Sequence, residues 1–357
     1  MAIIIRRLQD SEIGLANDFF NSIYKSNRSL EHFRWEFLQG PFGPAVYVVA
    51  IDDAITPEIR VVGIQCAIPI ALQKVNEKNI VLTAKSEDTL VHPEYRGQKI
   101  FERMYDLLFE ECKRVGIKFI WGFTPARKAF ERIGFQIPFE TQQALMVFDP
   151  LKAYRYLSSL NVNNRIFDRC KIAGLSLISK MLAVFTSRRP TLNLVINKID
   201  ITSKESVIGE LCPNSTLHYL KMNHDYINWR LKNNPYNNTY ENYQFFSGPT
   251  LLADIIVNFR RGGFGYIEQM IIRDGLPAAA ENEVMRHLVA IMKRRTSVVR
   301  VLLFDTNDVL RRQTSLLKGS GFFILKRGSH FVWRQLNSVE LNSEEIFFTR
   351  LFTQGNQ

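Results

Sequence analysis

Hydrophobic and polar positions change their spacing several times along the chain, and each change marks an element. Ala45 to Ile51 reads as a strand, Arg60 to Leu72 as a second and Ile80 to Val91 as a third. Asn76-Glu77-Lys78-Asn79 supplies a polar hairpin turn between the last two. The opening MAIIIRRLQDSEIG reads as an earlier strand, because its apolar run is too short and too soon charged for a secretory leader or a membrane span. After Arg96-Gly97 the period becomes helical. Ile100, Met104, Leu107, Leu108, Cys112 and Val115 fall on one stripe, and Gly116 stops it. Ile117 to Phe123 is a continuous apolar run of the kind buried on both faces. Thr124-Pro125 then predicts an N-cap and first-turn proline for a helix that ends at Gly134. A meander followed by βαβα makes an open mixed sheet, whose ligands gather beyond the carboxyl ends of the strands, here near Val91 and Phe123.

The order of elements then repeats. Trp35 is followed by Pro41-Phe42, and Trp229 by Pro235-Tyr236, with six positions from Trp to Pro in both copies. Each copy continues through strands to a helix (Gln98 to Val115; Glu281 to Arg295) and a buried strand (Ile117 to Phe123; Val298 to Phe304). Each closes in Gly-Phe, at Gly134-Phe135 and Gly321-Phe322. The expected organisation is therefore an α/β protein with a first domain over 1–150, a helical connector over 151–190, a second domain over 191–335 and a tail over 336–357. A length of 357 residues accommodates two cores.

Within the connector, Lys171 to Phe185 is an apolar helical stretch interrupted by Lys180 and flanked by Arg165, Arg169, Arg188 and Arg189. It is too short and too charged to cross a bilayer. A helix packed between domains is the main expectation, and a seat on an anionic membrane surface the lesser one.

Composition alters this picture little. Hydrophobic residues make up 46% and charged residues 23%, which suits a folded, soluble chain. Four widely spaced cysteines, Cys66, Cys112, Cys170 and Cys212, show neither disulfide nor zinc spacing, so a reducing cytoplasm is the expected location and no metal is expected. The net charge of +11 fits nucleic acid, a membrane or an anionic ligand equally well, and by itself reads as a solvated basic surface.

The segment Leu90-Val91-His92-Pro93-Glu94-Tyr95-Arg96-Gly97-Gln98-Lys99-Ile100-Phe101 carries the most chemistry. It runs from a strand end through a proline turn into a helix start. Free amides and the positive dipole end of a helix favour a phosphate there, and Arg96 adds charge-assisted bonds. Val91, Pro93, Arg96 and Gly97, with Ala126, Phe130, Glu131, Gly134 and Phe135 downstream, resemble the GNAT acyltransferase family, most specifically between Leu90 and Phe135. The resemblance implies two tandem GNAT-like mixed-sheet domains and acetyl-CoA as co-substrate. Leu90 and Val91 would hold its pantetheine arm, and Arg96, Gly97, Gln98, Lys99, Ile100 and Phe101 its diphosphate. Lys99 and Phe101 stand where the family has small residues, and Phe130 where it often has a proton-giving tyrosine.

The same resemblance implies a carboxylate base on the strand before the loop, which points to Glu87 and Asp88. Strand alternation sends these to opposite faces, so one of them at most should meet the substrate. In the second copy Asp274-Gly275-Leu276-Pro277 replaces the Arg-Gly loop, so no second coenzyme A site is expected. The expected reaction is direct acetyl transfer to the amine of a small-molecule or glycan-precursor acceptor, with nucleic acid not expected as a partner. Two other readings stay open: a Fem-type transferase using aminoacyl-tRNA, and a non-catalytic module that binds coenzyme A.

Overall fold

The computed structural model describes residues 3–54, 60–159, 166–186, 193–203, 206–236, 238–325, 328–338 and 341–353. The chain divides into two compact units. The first comprises Met1–Gln73, Lys78–Pro138 and His330–Leu341, and the second Lys74–Glu77, Phe139–Ser329 and Asn342–Gln357.

The first unit contains β1 (Ile3–Arg7), α1 (Ile13–Tyr24), α2 (Leu30–Phe37), β2 (Val46–Asp52), β3 (Arg60–Lys74), β4 (Ile80–Val91), α3 (Ile100–Arg114), β5 (Phe119–Thr124), α4 (Arg127–Arg132) and β6 (Gln136–Glu140). The late strand β15 (His330–Gln335) completes it. The sheet runs β1-β2-β3-β4-β5-β15-β6, antiparallel from β1 to β4, parallel between β4 and β5, and antiparallel between β5 and β15. The stripe read from the sequence is the buried face of α3. Met104, Tyr105, Leu108 and Cys112 pack on Val46, Val48, Ala50 and Ala84, each large apolar side chain contributing about 1.5–3 kcal/mol. Gly63 permits the close approach of α3 to the sheet, since a Cβ there would meet Met104 Sδ at 3.0 Å and Ala50 Cβ at 3.2 Å. Helix α4 starts later than Thr124-Pro125 suggested. Thr124 Oγ1 instead accepts from the Ala126 amide at 3.0 Å, and helical geometry begins at Arg127.

The second unit contains β7 (Gln142–Val147), α5 (Pro150–Ser159), α6 (Ile166–Thr186), β8 (Val195–Ile199), α7 (Ile208–Leu211), β9 (His218–Leu220) and α8 (His224–Ile227). It continues with β10 (Thr239–Ser247), β11 (Thr250–Arg260), β12 (Phe264–Ile272), α9 (Ala278–Arg295), β13 (Val298–Leu303), α10 (Asp308–Gly319) and β14 (Phe323–Leu325). Its sheet runs β14-β7-β13-β12-β11-β10-β8, with β12 and β13 parallel and the other pairs antiparallel. Phe245, Ile255, Val257, Val284, Met285 and Leu288 form the centre of its core.

Two strands depart from the boundaries drawn from the sequence. β7 falls inside 1–150 yet pairs with β13 and β14, and β15 falls inside 191–335 yet pairs with β5. Each sheet thus takes one strand from the other copy's stretch of sequence. Alternation shows that a segment is a strand but carries no label for the sheet it joins. Nor are the described residues of 336–357 a loose tail, since Leu341, Ile346, Phe347, Phe348, Leu351 and Phe352 are buried.

Candidate functional site

β4 delivers the chain to a short turn, Pro93–Tyr95, capped by His92. Tyr95 anchors that turn by donating its hydroxyl to Asp52 at 2.6 Å. The backbone then takes two left-handed steps, Gly97 at φ 85° and Lys99 at φ 56°, and α3 begins at Ile100. Arg96, Gly97, Gln98 and Lys99 are exposed, Ile100 is buried and Phe101 half-buried. At position 99 a lysine carries a conformation suited to glycine, at a cost of about 1 kcal/mol. The Phe101 ring packs on Tyr105 at 4.9 Å and Phe130 at 5.7 Å between centroids. The predicted loop residues therefore lie together at the amino end of a 15-residue helix, with Arg96 and Lys99 exposed beside its first amides.

Next to the loop the sheet opens. β4 and β5 pair only from Thr83–Phe119 to Lys85–Trp121. Beyond Lys85, β4 carries a bulge, with Ile64 opposite Leu90 but Cys66 opposite Glu87, and Asp88 sits in it at φ 49°. The bulge upsets the alternation expected for Glu87 and Asp88, and both exert their charge on the same neighbours, Tyr24 and Glu36. Tyr24 also feels Arg96, which links the loop to this cluster.

On the α2 side of the opening, Asp88 is held by Arg28 at 2.8 Å and by the Tyr47 hydroxyl at 2.9 Å. Arg28 is itself fixed. Its Nε donates to Asn17 at 2.8 Å and its guanidinium lies 3.8 Å from the Phe20 ring, while Nη2 is buried with no hydrogen-bond partner. Glu87 pairs with Lys85. Glu36, on α2, is only 4% exposed, and no hydrogen bond to its carboxyl occurs among the described residues. Burial, with repulsion from Glu87 and Asp88, lifts its pKa to about 7 against the pull of Arg28 and Lys85. Burial likewise pushes the Asp88 carboxyl up, with Arg28 pulling against it.

On the α3 side a chain of hydroxyls lines the same stretch of β4. Gln65 donates to Ser86 at 3.0 Å, Ser86 meets the Tyr105 hydroxyl at 2.8 Å, and Tyr105 meets Thr89 at 3.3 Å. The Tyr105 and Phe130 rings are 5.6 Å apart, so a phenol stands beside the phenylalanine that lacks one. Among the described residues no group of His, Cys, Asp and Glu is arranged to hold a metal.

The sequence model of the acetyltransferase (GNAT) domain matches residues 4–137. The first part of the chain is a GNAT domain. A probable N-acyltransferase from Enterococcus faecalis superposes with a TM-score of 0.62 at 10% identity, covering 94% of this chain and 73% of that one. A tandem GNAT protein from the clavulanic acid biosynthesis pathway gives 0.54 at 11% identity over 95% and 100% of the two chains. Saccharomyces cerevisiae N-myristoyltransferase, solved with bound myristoyl-CoA, gives 0.56 at 11% over 99% and 88%. At such identities the likeness is one of fold, and that fold is the tandem GNAT arrangement in both units. No curated protein matches the chain in sequence.

In the GNAT domain the candidates drawn from the sequence fall into one neighbourhood, along β4 and the start of α3. Arg28, Glu36, Tyr47, Gln65 and Tyr105 escaped sequence reading, because nothing in local spacing connects the turn between α1 and α2, α2 itself, β2, β3 and α3 to the bulge in β4. One signal was present: Glu36 follows the repeated Trp35 directly, and a charged residue beside a core tryptophan is burdensome to bury unless it has a use.

Proposed function

We propose that the chain transfers an acetyl group from acetyl-CoA to the amine of a small-molecule or glycan-precursor acceptor, directly and without a covalent enzyme intermediate. The observation that carries this reading is the buried, un-hydrogen-bonded carboxyl of Glu36 beside the opening of β4 and β5. A buried acid with a pKa near neutrality is suited to accept a proton at physiological pH.

The residues present fit the co-substrate. Past Lys85 the β5-facing edge of β4 has no strand pairing among the described residues, so the backbone around Leu90 and Val91 is open to a pantetheine arm. The exposed turn from Arg96 to Lys99 and the first amides of α3, at Ile100 and Phe101, suit a diphosphate. The ammonium of the acceptor would be drawn to the carboxyls of Glu36, Glu87 and Asp88, with Arg28 and Lys85 limiting their mutual repulsion. Glu36 takes one proton from the ammonium and later gives it to solvent. The freed nitrogen attacks the thioester carbonyl, the carbon–sulfur bond breaks, and the second amine proton ends on sulfur. Thr89 and Tyr105 offer hydroxyls for that last transfer, which Phe130 cannot do. Holding the reactants in place supplies the rest of the acceleration. Four free cysteines support a reducing compartment such as the cytoplasm.

Calorimetry with coenzyme A, followed by an amine panel with acetyl-CoA, tests the reading. Micromolar binding and turnover are expected. Absence of binding by the wild-type chain refutes it, and binding without turnover on any amine leaves only a coenzyme A-binding module.

A further inference from the structure

Helix α6 carries its apolar residues on the wrong side for a packed helix. Its fully buried positions are small or polar, with Leu175 half-buried beside them against Leu145 and Val298. Ser176 and Ser179 are fully buried, Ala183 is 4% exposed, and Ser179 donates to the Leu145 carbonyl at 3.1 Å. Its outward face holds Leu177, Ile178, Met181, Leu182 and Val184, exposed by 57, 50, 51, 37 and 66%. Ala173 and Gly174 continue that face one turn earlier, and Lys180, half-buried at its border, is the one charged residue from 173 to 184. Leu151 on the neighbouring α5 is 58% exposed. These two helices thus hold six of the thirteen large hydrophobic residues exposed among the described ones. Such residues are usually scattered singly, and a contiguous set marks a surface that is covered in use.

Charge indicates what covers it. Residues 150–190 contain eight Lys and Arg against the single acid Asp168, so this stretch supplies seven of the eleven net positive charges of the chain. Arg165, Arg188 and Arg189 lie outside the described residues. Of the others, Lys152, Arg155, Arg169 and Lys171 are exposed along α5 and at the start of α6. An apolar helical face bordered by cations matches the boundary of an anionic bilayer, where acyl chains take the apolar side chains and head groups the cations. A protein partner of matching shape would have to be both apolar and strongly acidic. No helix among the described residues is long and apolar enough to cross a membrane, which leaves a helix lying along the surface.

We propose that α6 lies on the surface of an anionic membrane, inserting Leu177, Ile178, Met181 and Val184 among the acyl chains while the flanking Lys and Arg meet the head groups. The proposal stands apart from the acetyl-transfer reading, since none of these residues belongs to the first unit.

The test is flotation of the full-length protein with vesicles of pure phosphatidylcholine and of equimolar phosphatidylcholine and phosphatidylglycerol, at low and high salt. Binding should require phosphatidylglycerol and weaken as salt rises. Leu177→Glu combined with Met181→Glu should reduce vesicle binding by roughly tenfold or more while leaving the melting temperature and coenzyme A binding unchanged, because both side chains are exposed. Three results overturn the proposal. One is failure of the wild type to float with the anionic vesicles. Another is equal binding by the double variant. The third is light scattering that finds a wild-type dimer which the double variant dissolves, for then a second copy covers the face.

Discussion

Replacing Glu36 with Gln should stabilise the protein at alkaline pH while removing its activity. The Glu36 carboxyl has its pKa lifted from 4.5 to about 7, chiefly by burial. Below about pH 4 the group is protonated in both the folded and the unfolded chain and favours neither. As pH rises from there to 7 the unfolded chain ionises while the folded one holds its proton, so stability falls. Above 7 the whole penalty is present, about 2.5 units at 1.36 kcal/mol each, or about 3 kcal/mol. Glutamine has no such titration. An unsatisfied amide costs about 1–3 kcal/mol but does so at every pH, so the difference between two pH values isolates the ionisation. Thermal melts of wild type and Glu36→Gln at pH 4.5 and pH 8.5 should diverge by about 3 kcal/mol in the variant's favour at the higher pH, or on the order of 5–10 °C. The same difference between variant and wild type at both pH values would refute the assignment of a buried, proton-hungry carboxyl. The same variant should lose about 100-fold or more in kcat with little change in acetyl-CoA binding, as expected of a group that handles the acceptor's proton.

Three further perturbations probe other parts of the molecule. Arg96→Glu places a negative charge beside the amino end of α3 and should weaken coenzyme A binding by roughly tenfold or more, read by calorimetry; unchanged affinity would move the diphosphate elsewhere. Lys99→Gly relieves a left-handed backbone and should raise stability by about 1 kcal/mol in urea unfolding, and a loss instead would mean that the lysine side chain does more for the fold than its backbone costs. Arg350→Met strands the buried carboxylate of Glu268 and should cost about 3–5 kcal/mol, most of which Glu268→Gln in the same chain should restore; a double variant no better than the single would show that the ion pair is not the cause.

Local pattern made the elements legible and left their assembly obscure. The stripe from Ile100 to Val115 and the run from Ile117 to Phe123 became α3 and β5, because helical and buried-strand periods are properties of short segments. The loop from Arg96 to Phe101 was readable for the same reason, as strand, turn and helix start follow one another directly. The exchange of β7 and β15 was not readable, since pairing partners lie far apart in sequence. The acid cluster was half visible: Glu87 and Asp88 share a strand, but the bulge that brings both to bear on Glu36 depends on the register with β3. On α6 the apolar stretch was evident in the sequence. Which of its faces meets the sheet was not, because burying Ser176 and Ser179 instead of Leu177 and Ile178 reverses the usual preference.

The two copies also explain why chemistry is assigned to the first alone. In both, the strand before the divergence carries one extra residue, Asp88 in β4 and Glu268 in β12, just past the last parallel pair. In both, an arginine pairs with that acid, but it comes from different places. Arg28 arrives from the turn between α1 and α2, whereas Arg350 comes from the last described stretch of the chain. Phe348, Thr349 and Arg350 line the small cavity beside Met270, Leu303 and Gln313, and Phe348 stacks on Phe304 at 5.4 Å, so the second divergence is bordered by the protein's own side chains. The residue after the repeated tryptophan changes sign as well, from Glu36 to the fully buried Arg230. Glu36 shares its surroundings with Glu87, Asp88, Arg28 and Lys85, whereas Tyr240 in the second copy feels Glu268 together with Arg230, Arg260 and Arg350. An ammonium is attracted to the first arrangement and repelled by the second. With Asp274 also standing where the first copy has its Arg-Gly loop, the second unit shows neither of the features on which the proposal for the first rests, while keeping a fold that accepts β7 and the end of the chain.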